Sequence, residues 1–306
     1  MENQNRHPVL LFIQMTRPLF LVGGLLLYAL GVGIARYLGA TIDWQAYWLG
    51  QIWVTLLQLS THYLNEYYDA AEDQTNRNRT PFTGGSGAVG PGRLTRRTAL
   101  MAAMTALAFL ASDTVLLISQ VGLEPVTVAI MVVAFLGSFF YSAPPIRLAR
   151  TGYGELTTSV LVAYLVPAFG FILQEGELHR LVAMAALPLT VLLLAMLLAF
   201  ELPDYANDVK REKHTLLVRL GWQTGMGLHN ILVLSAFFLL ALAIAFGLPL
   251  FIALPAFLPL PLALLQVWQM RRIAAGAKPN WKALTLNALT LFGATAYLLT
   301  FAFWIN

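Results

Sequence analysis

"YLNEYYDAAEDQTNRNR", residues 63–79, follows an apolar run long enough to cross a bilayer, and four of the chain's 15 acidic residues fall inside it, at Glu66, Asp69, Glu72 and Asp73. Carboxylates are a poor way to end a membrane helix. Like charges one turn apart repel, and acidic groups at a helix C-terminus oppose the macrodipole. A plain boundary with water would more naturally carry Lys or Arg. The rest of the chain sharpens the anomaly: of 306 residues, 58% are hydrophobic and 11% charged, with a mean hydropathy of +0.68. That composition belongs to a polytopic membrane protein.

A spanning helix needs about 20 apolar residues. Nine stretches qualify, near 18–38, 44–68, 98–120, 124–142, 154–174, 180–204, 224–247, 249–270 and 283–304. The runs are continuous and lack the alternation of barrel strands. The expected fold is therefore all-α, one domain over residues 1–306, with nine transmembrane helices around a central cavity. A long first apolar segment without an A-x-A pattern argues against a cleaved signal peptide. The chain has no cysteine, which excludes disulfides, thiolate metal sites and thiol nucleophiles.

Of the 19 Lys and Arg residues, all but Arg36 and Arg180 fall on one face of this nine-span topology. The positive-inside rule makes that face, with the N-terminus, cytoplasmic and puts the C-terminus on the far side. An inner membrane of a bacterium or archaeon is the expected location. Topology explains the basic bias better than nucleic-acid binding, for which no recognition fold is present. The two long polar loops, near 70–97 and 205–223, are both on the cytoplasmic face and cap the cavity after spans two and six.

The second loop repeats the first anomaly. Span two ends with Asn65-x-x-x-Asp69-x-x-x-Asp73, and span six ends with Glu201-x-x-Asp204-x-x-x-Asp208. Spacing of four aligns such residues on one helix face, with about 6 Å of rise between neighbours. Two acidic stripes facing each other from two helical halves would each be unfavourable alone and argue together for a bound cation. The donors are carboxylates and an amide, with no Cys or His in either stripe, which suits Mg²⁺, Mn²⁺ or Ca²⁺ rather than zinc or copper. Mg²⁺ fills its remaining positions with water and phosphate, so the pair resembles a cradle for a metal-bound diphosphate. Arg77, Arg79 and Lys213 lie just beyond the stripes and fit the same ligand, although the positive-inside rule alone would also put them there.

Weaker signals remain. "TGGSGAVGPG", residues 83–92, lacks P-loop spacing and reads as a linker or as a lid over charged substrate. His62, one turn before Asn65, is expected to pack at a helix interface. Tyr63, Tyr67, Tyr68, Phe139, Phe140 and Tyr141 are expected mostly to pack or face lipid. A diphosphate handled inside an apolar bundle implies a lipid diphosphate. Allylic ones fit, because neutralising the leaving group lets the allylic fragment depart as a delocalised cation.

At these residues the chain resembles the UbiA superfamily of intramembrane prenyltransferases. "NEYYDAAED" and "DYAND" are similar to its two Asp-rich motifs, "YSAPPIRLARTGYGE" to its Tyr-Ser-x-Pro-Pro-x-Arg-Leu segment, and "ELPDYANDVKREKHTLLVRLG" to its second loop. The resemblance implies that Asn65, Asp69, Asp73, Asp204 and Asp208 hold Mg²⁺ and the diphosphate, with the four aspartates catalytic. Arg77, Arg79 and Lys213 would contact the phosphates, with Arg147 nearby. One departure is Glu212, where the family commonly has glycine. "ELPDYAND" and the "FTGGSG" loop look most like the menaquinone branch, whose acceptor is 1,4-dihydroxy-2-naphthoate. The implied partners are a polyprenyl diphosphate, an aromatic acceptor and membrane lipid. Other acceptors stay open: 4-hydroxybenzoate, homogentisate, a chlorophyll or haem precursor, or a glycerol-phosphate lipid. The alternative from another class is a cation-coupled transporter, which would place ion sites near the midplane with access from both faces.

Overall fold

The computed structural model describes residues 7–73 and 78–306, without the side chains of Glu72 and Asp73. Among the described residues the chain is helical with short connections and no β-strand. The elements are α1 (Pro8–Thr16), α2 (Pro18–Tyr37), α3 (Trp44–Asp73), α4 (Arg96–Gln120), α5 (Pro125–Ser142), α6 (Gly154–Val160) and α7 (Val166–Glu175). They continue as α8 (Arg180–Glu201), α9 (Tyr205–Lys210), α10 (Leu216–Leu220), α11 (Trp222–Ala245), α12 (Leu250–Ala253), α13 (Leu260–Ala274) and α14 (Trp281–Ile305). Helix covers most of each predicted span. Among the described residues, eight segments are apolar and long enough to cross a membrane, not nine. The 30-residue α3 is not one of them, because glutamines, a histidine and the first acidic motif interrupt its apolar sequence.

Helix ends follow local chemistry. Prolines open α2 and α5, where a missing N–H costs nothing. The Thr95 side chain accepts the Thr98 N–H at the start of α4, and Thr215 accepts that of Val218 at the start of α10. The predicted fifth span is continuous in space but contains a π-helical turn at Leu161–Leu165. Pro167 follows one turn later; it removes the bond to the carbonyl of Ala163 and crowds it, and a wider turn relieves both.

Polarity is inverted relative to a water-soluble bundle. Phe109, Ile231, Phe238 and Leu258 are exposed on the outside, whereas Gln51, Glu66, Asp69, Glu155 and Gln266 are buried. That is the distribution lipid demands. Helices α3 and α4 pack together, as do α8 and α11, and α2 packs on α7 and α14. Small residues set the closest approaches. A Cβ on Gly31 of α2 would stand 1.9 Å from the Pro167 carbonyl oxygen, so only glycine fits there. Helices α2, α3, α5, α6, α7 and α8 together enclose the central space.

Candidate active site

The two acidic motifs are brought to one place by different means. The first runs along α3 as a continuous stripe. The second was expected on the continuation of span six, but α8 stops at Glu201 and the chain turns through Leu202, Pro203 and Asp204 before α9 begins. Pro203 explains the break: it has no N–H for the Ala199 carbonyl, and its ring clashes with a continuing helix. Turning the chain swings Asp208 back toward α3.

Asn65 and Asp69 of α3, Asp204 in the turn, Asp208 of α9 and Lys213 beyond it line one cavity of about 150 Å³. Asp69 and Asp208 are each 7% exposed, so both charges are withdrawn from bulk water. Asn65 Nδ2 donates to Asp69 Oδ2 at 2.9 Å, while Asn65 Oδ1 accepts from Arg17 Nη2 at 3.3 Å. Asn65 thereby fixes the position of Asp69. Lys213 is folded in by its own backbone, whose N–H bonds the Asp208 carbonyl at 3.0 Å.

The other sequence-derived candidates are elsewhere. Arg79 does not line this cavity; its Nε donates to the Gly84 carbonyl at 2.7 Å and thus shapes the glycine loop. Thr83, Gly84 and Gly85 of that loop form part of the cavity wall, so the loop acts as a cover in this structure. Arg147, with φ of 50°, lies over the Tyr68 ring at 5.9 Å and lines a separate small cleft that also includes Asp69. Arg77 and the Asp73 side chain lie outside the described residues. Among those described, no group of three or more acidic or His side chains is assembled closely enough to hold a metal on its own.

Arg17 and Glu155 were not among the site residues expected from the sequence. Arg17 sits between α1 and α2 at φ 52°, and its Nη2 lies 2.7 Å from Glu66 Oε1. Glu155, at the end of the "YSAPPIRLARTGYGE" segment, is buried and lines the same cavity as Glu201. These two carboxylates hold the start of α10: Glu155 Oε1 accepts the Leu216 N–H at 3.1 Å, and Glu201 Oε2 the Leu217 N–H at 3.3 Å. Glu155 Oε2 meets no donor; its carboxyl faces that of Glu201. Two carboxyl groups so placed need a proton or a cation between them.

Beneath this chamber lies an apolar one of about 220 Å³, with walls that include Trp53, Leu57, Ile130, Leu161, Val162 and Phe169. Arg17, Asn65, Phe82, Tyr141, Leu197 and Phe200 line both chambers, which therefore adjoin. Of the aromatic residues noted in the sequence, Tyr141 is the one found at this junction. His62, expected at a helix interface, lines the apolar chamber. The π turn at Leu161–Leu165 contributes to the same wall, a common use of such turns. The site thus sets an oxygen-rich compartment beside an apolar one, an arrangement that suits a lipid with a polyanionic head.

The family model of the UbiA prenyltransferase family matches residues 25–292. The chain belongs to that family. It is a multi-pass membrane enzyme that transfers prenyl groups, so membership decides against the transport alternative. Among known family members, a 1,4-dihydroxy-2-naphthoate octaprenyltransferase of Mycobacterium tuberculosis is 29% identical over 217 residues, covering 69% of this chain and 70% of the relative. Solved structures share the fold. A UbiA homologue of Archaeoglobus fulgidus bound to GPP and Mg²⁺ aligns with a TM-score of 0.63 at 18% identity, over 96% of this chain and 98% of its own. An apo UbiA homologue of Aeropyrum pernix K1 aligns with a TM-score of 0.64 at 15% identity, over 94% and 97% of the respective chains.

Proposed function

We propose that this UbiA enzyme transfers a polyprenyl chain from an allylic diphosphate to 1,4-dihydroxy-2-naphthoate, in a Mg²⁺-dependent reaction at the cytoplasmic face. One observation carries the reading: the oxygen-lined chamber and the apolar one lie side by side and share wall residues. A diphosphate head and an isoprenoid tail occupy the two compartments together. The naphthoate acceptor rests on the octaprenyltransferase relative from Mycobacterium tuberculosis. The Archaeoglobus fulgidus homologues bound to GPP and Mg²⁺ or to DMAPP and Mg²⁺ support the diphosphate and the metal.

The donor set fits a hard divalent cation. Cavity-lining Asp69, Asp204 and Asp208 offer carboxylate oxygens, the hard donors such an ion takes. Asp69, Asp204 and Asp208, with Asn65 and Asp73, would hold the ion. When bound, Mg²⁺ supplies neutralising charge to the diphosphate as it departs.

The chain's own groups do the remaining work. Lys213 and Arg17, the cations on the chamber wall, bind and orient the diphosphate, whose negative charge grows as its bond to the allylic carbon lengthens. Asn65 keeps Asp69 aligned toward the chamber. Phe82 and Phe200, stacked with centroids 6.2 Å apart, stand at the junction and exclude water from the departing allylic fragment. Their π faces also favour positive charge nearby. Leu161, Val162 and Phe169 take up the tail, each buried methylene contributing roughly 0.8 kcal/mol. Orientation with the N-terminus and site cytoplasmic follows from the distribution of Lys and Arg.

The reading is tested by measuring pyrophosphate release from detergent-purified protein supplied with geranylgeranyl diphosphate and Mg²⁺. Release is expected only when 1,4-dihydroxy-2-naphthoate is added. Equal release with 4-hydroxybenzoate and none with the naphthoate would overturn the acceptor, and release without any acceptor would point to hydrolysis or cyclisation.

A further inference from the structure

The apolar chamber contains polar groups that an isoprenoid tail cannot use. Gln58 and His62 lie one turn apart on α3, both on the chamber wall, on the same helix face and above Trp53 and Leu57. Gln58 Oε1 is buried and has no hydrogen-bond donor in the protein. The amide is tucked against α2, where a Cβ on Gly24 would stand 2.1 Å from that oxygen. Glycine at position 24 therefore makes the room in which the Gln58 amide sits. The terminal amide torsion is soft and two-fold, so half a turn presents Oε1 to the chamber instead.

His62 is set up by a different contact. Its Nδ1 lies 3.0 Å from the Thr16 carbonyl oxygen. A carbonyl can only accept, so Nδ1 carries the proton, and Nε2 of the neutral ring keeps a lone pair. With the Gln58 amide turned in this way, two acceptor atoms lie on one helix face within a mainly apolar space. Aromatic rings flank them: Phe20 is edge-on to His62 at 6.4 Å and to Phe200 at 6.3 Å, and Phe200 stacks on Phe82.

We propose that Gln58 and His62 form the subsite that recognises the aromatic acceptor, Gln58 Oε1 and His62 Nε2 each accepting a hydrogen bond from an acceptor hydroxyl while the ring lies against Phe20 and Phe200. This rests on the reading of the site as an aromatic prenyltransferase. Of the reactants, the tail has no hydrogen-bond donors and the diphosphate belongs to the oxygen-lined chamber. The hydroxylated ring alone supplies what this wall lacks, and its position at the junction brings it against the reactive end of the allylic chain. Leaving such acceptors unmet is costly enough to discriminate strongly against rings without the hydroxyls.

The test uses the full-length protein in detergent. Gln58→Leu and His62→Phe are compared with wild type for the acceptor KM, varying the dihydroxynaphthoate at saturating geranylgeranyl diphosphate, and then with the roles reversed. Each variant is expected to raise the acceptor KM by about ten-fold or more and to move the diphosphate KM by less than about two-fold. Acceptor binding without diphosphate is read separately by quenching of intrinsic fluorescence, since Trp53 lines the chamber; both variants should weaken it in parallel. In wild type the two monomethyl ethers of the acceptor should bind more weakly than the parent, an arm that needs no variant to fold. An acceptor KM unchanged in both variants, or ethers that bind as well as the parent, overturns the subsite. Wild-type protein that binds the acceptor but releases no pyrophosphate overturns the proposed reaction instead, and the quenching of the variants still decides the subsite.

Discussion

Arg17 and Glu66 are paired across 2.7 Å at the margin of the oxygen-lined chamber, and the same Glu66 oxygen accepts the backbone N–H of Ser86 at 2.8 Å. One carboxylate therefore ties the α1–α2 turn, the middle of the first acidic motif and the glycine loop together. The Gln14 side chain also bonds the Ser86 carbonyl, so the loop is held from both sides. Glu66 is 3% exposed and Arg17 22%, which makes the pair mostly buried.

Glu66→Ala leaves Arg17 without this counter-charge and the loop without its anchor. Breaking a buried pair costs about 3–5 kcal/mol, and the partial exposure of Arg17 reduces that to roughly 2–3 kcal/mol. The expected result is a lower unfolding temperature in detergent together with faster proteolytic cleavage within residues 78–95. Unchanged cleavage would mean that Glu66 does not anchor the loop.

Asp69→Asn and Asp208→Asn keep size and hydrogen-bonding capacity but remove one negative charge each from the chamber. Both variants are expected to lose at least about a hundred-fold in turnover while eluting as monodisperse folded protein. Chelation of wild type by EDTA should abolish pyrophosphate release, with recovery on adding Mg²⁺ or Mn²⁺. Near-normal turnover in either variant would remove that aspartate from the site, and EDTA-resistant turnover would remove the metal.

Lys213 reaches the chamber from the far side of the Asp208 turn, so Lys213→Met should act on the diphosphate and not on the acceptor. A rise of about ten-fold in the diphosphate KM is expected, as for loss of one charge-assisted contact. Arg79→Ala should differ in kind, since Arg79 holds the Gly84 carbonyl: its signature is faster cleavage of the loop, with a smaller change in KM. If Arg79→Ala shifts only the diphosphate KM and leaves the loop protected, Arg79 touches substrate directly.

Glu212 occupies φ 53°, a left-handed conformation that favours glycine. The sequence resemblance implies glycine at this position. Glu212→Gly should be tolerated, with unfolding temperature equal to or above that of wild type, because it removes a steric cost of about 1 kcal/mol. Glu212→Val should lower both stability and turnover, because a β-branched side chain fits that conformation poorly and the following Lys213 would be displaced. Equal stability of the Gly and Val variants would show that backbone strain there is inconsequential.

Much of this architecture is legible in the amino-acid order. The apolar runs announce the helices because a bilayer requires about 20 such residues in each. The paired motifs announce the site because carboxylates in a membrane need a reason to be there. The break at Pro203 is visible as a proline, although its consequence is not: four-residue spacing suggests one stripe, whereas Asp204 lies in a turn and Asp208 on a separate short helix. Arg17 and Phe200 lie outside the quoted motifs, and Phe82 and Glu155 lie inside them without standing out as wall residues. Each is an ordinary residue type near the end of an element or in a loop, and only long-range proximity makes it part of the wall. His62 looks like interface because a single histidine on an apolar helix usually is; the Thr16 carbonyl that orients it comes from another helix.

Local sequence by itself determined what depends on composition and short spacing: a helical membrane chain and two oxygen-rich motifs suited to a hard cation. Tertiary structure alone decided which groups share a chamber. It brought α3 and α9 together across the bundle, set the Arg79 Nε on the Gly84 carbonyl, and placed the polar compartment against the apolar one. The physical reason is range. Helix formation and hydropathy act over a few residues or one turn, whereas a binding cavity is defined by surfaces from distant segments, and their meeting is set by how whole helices pack.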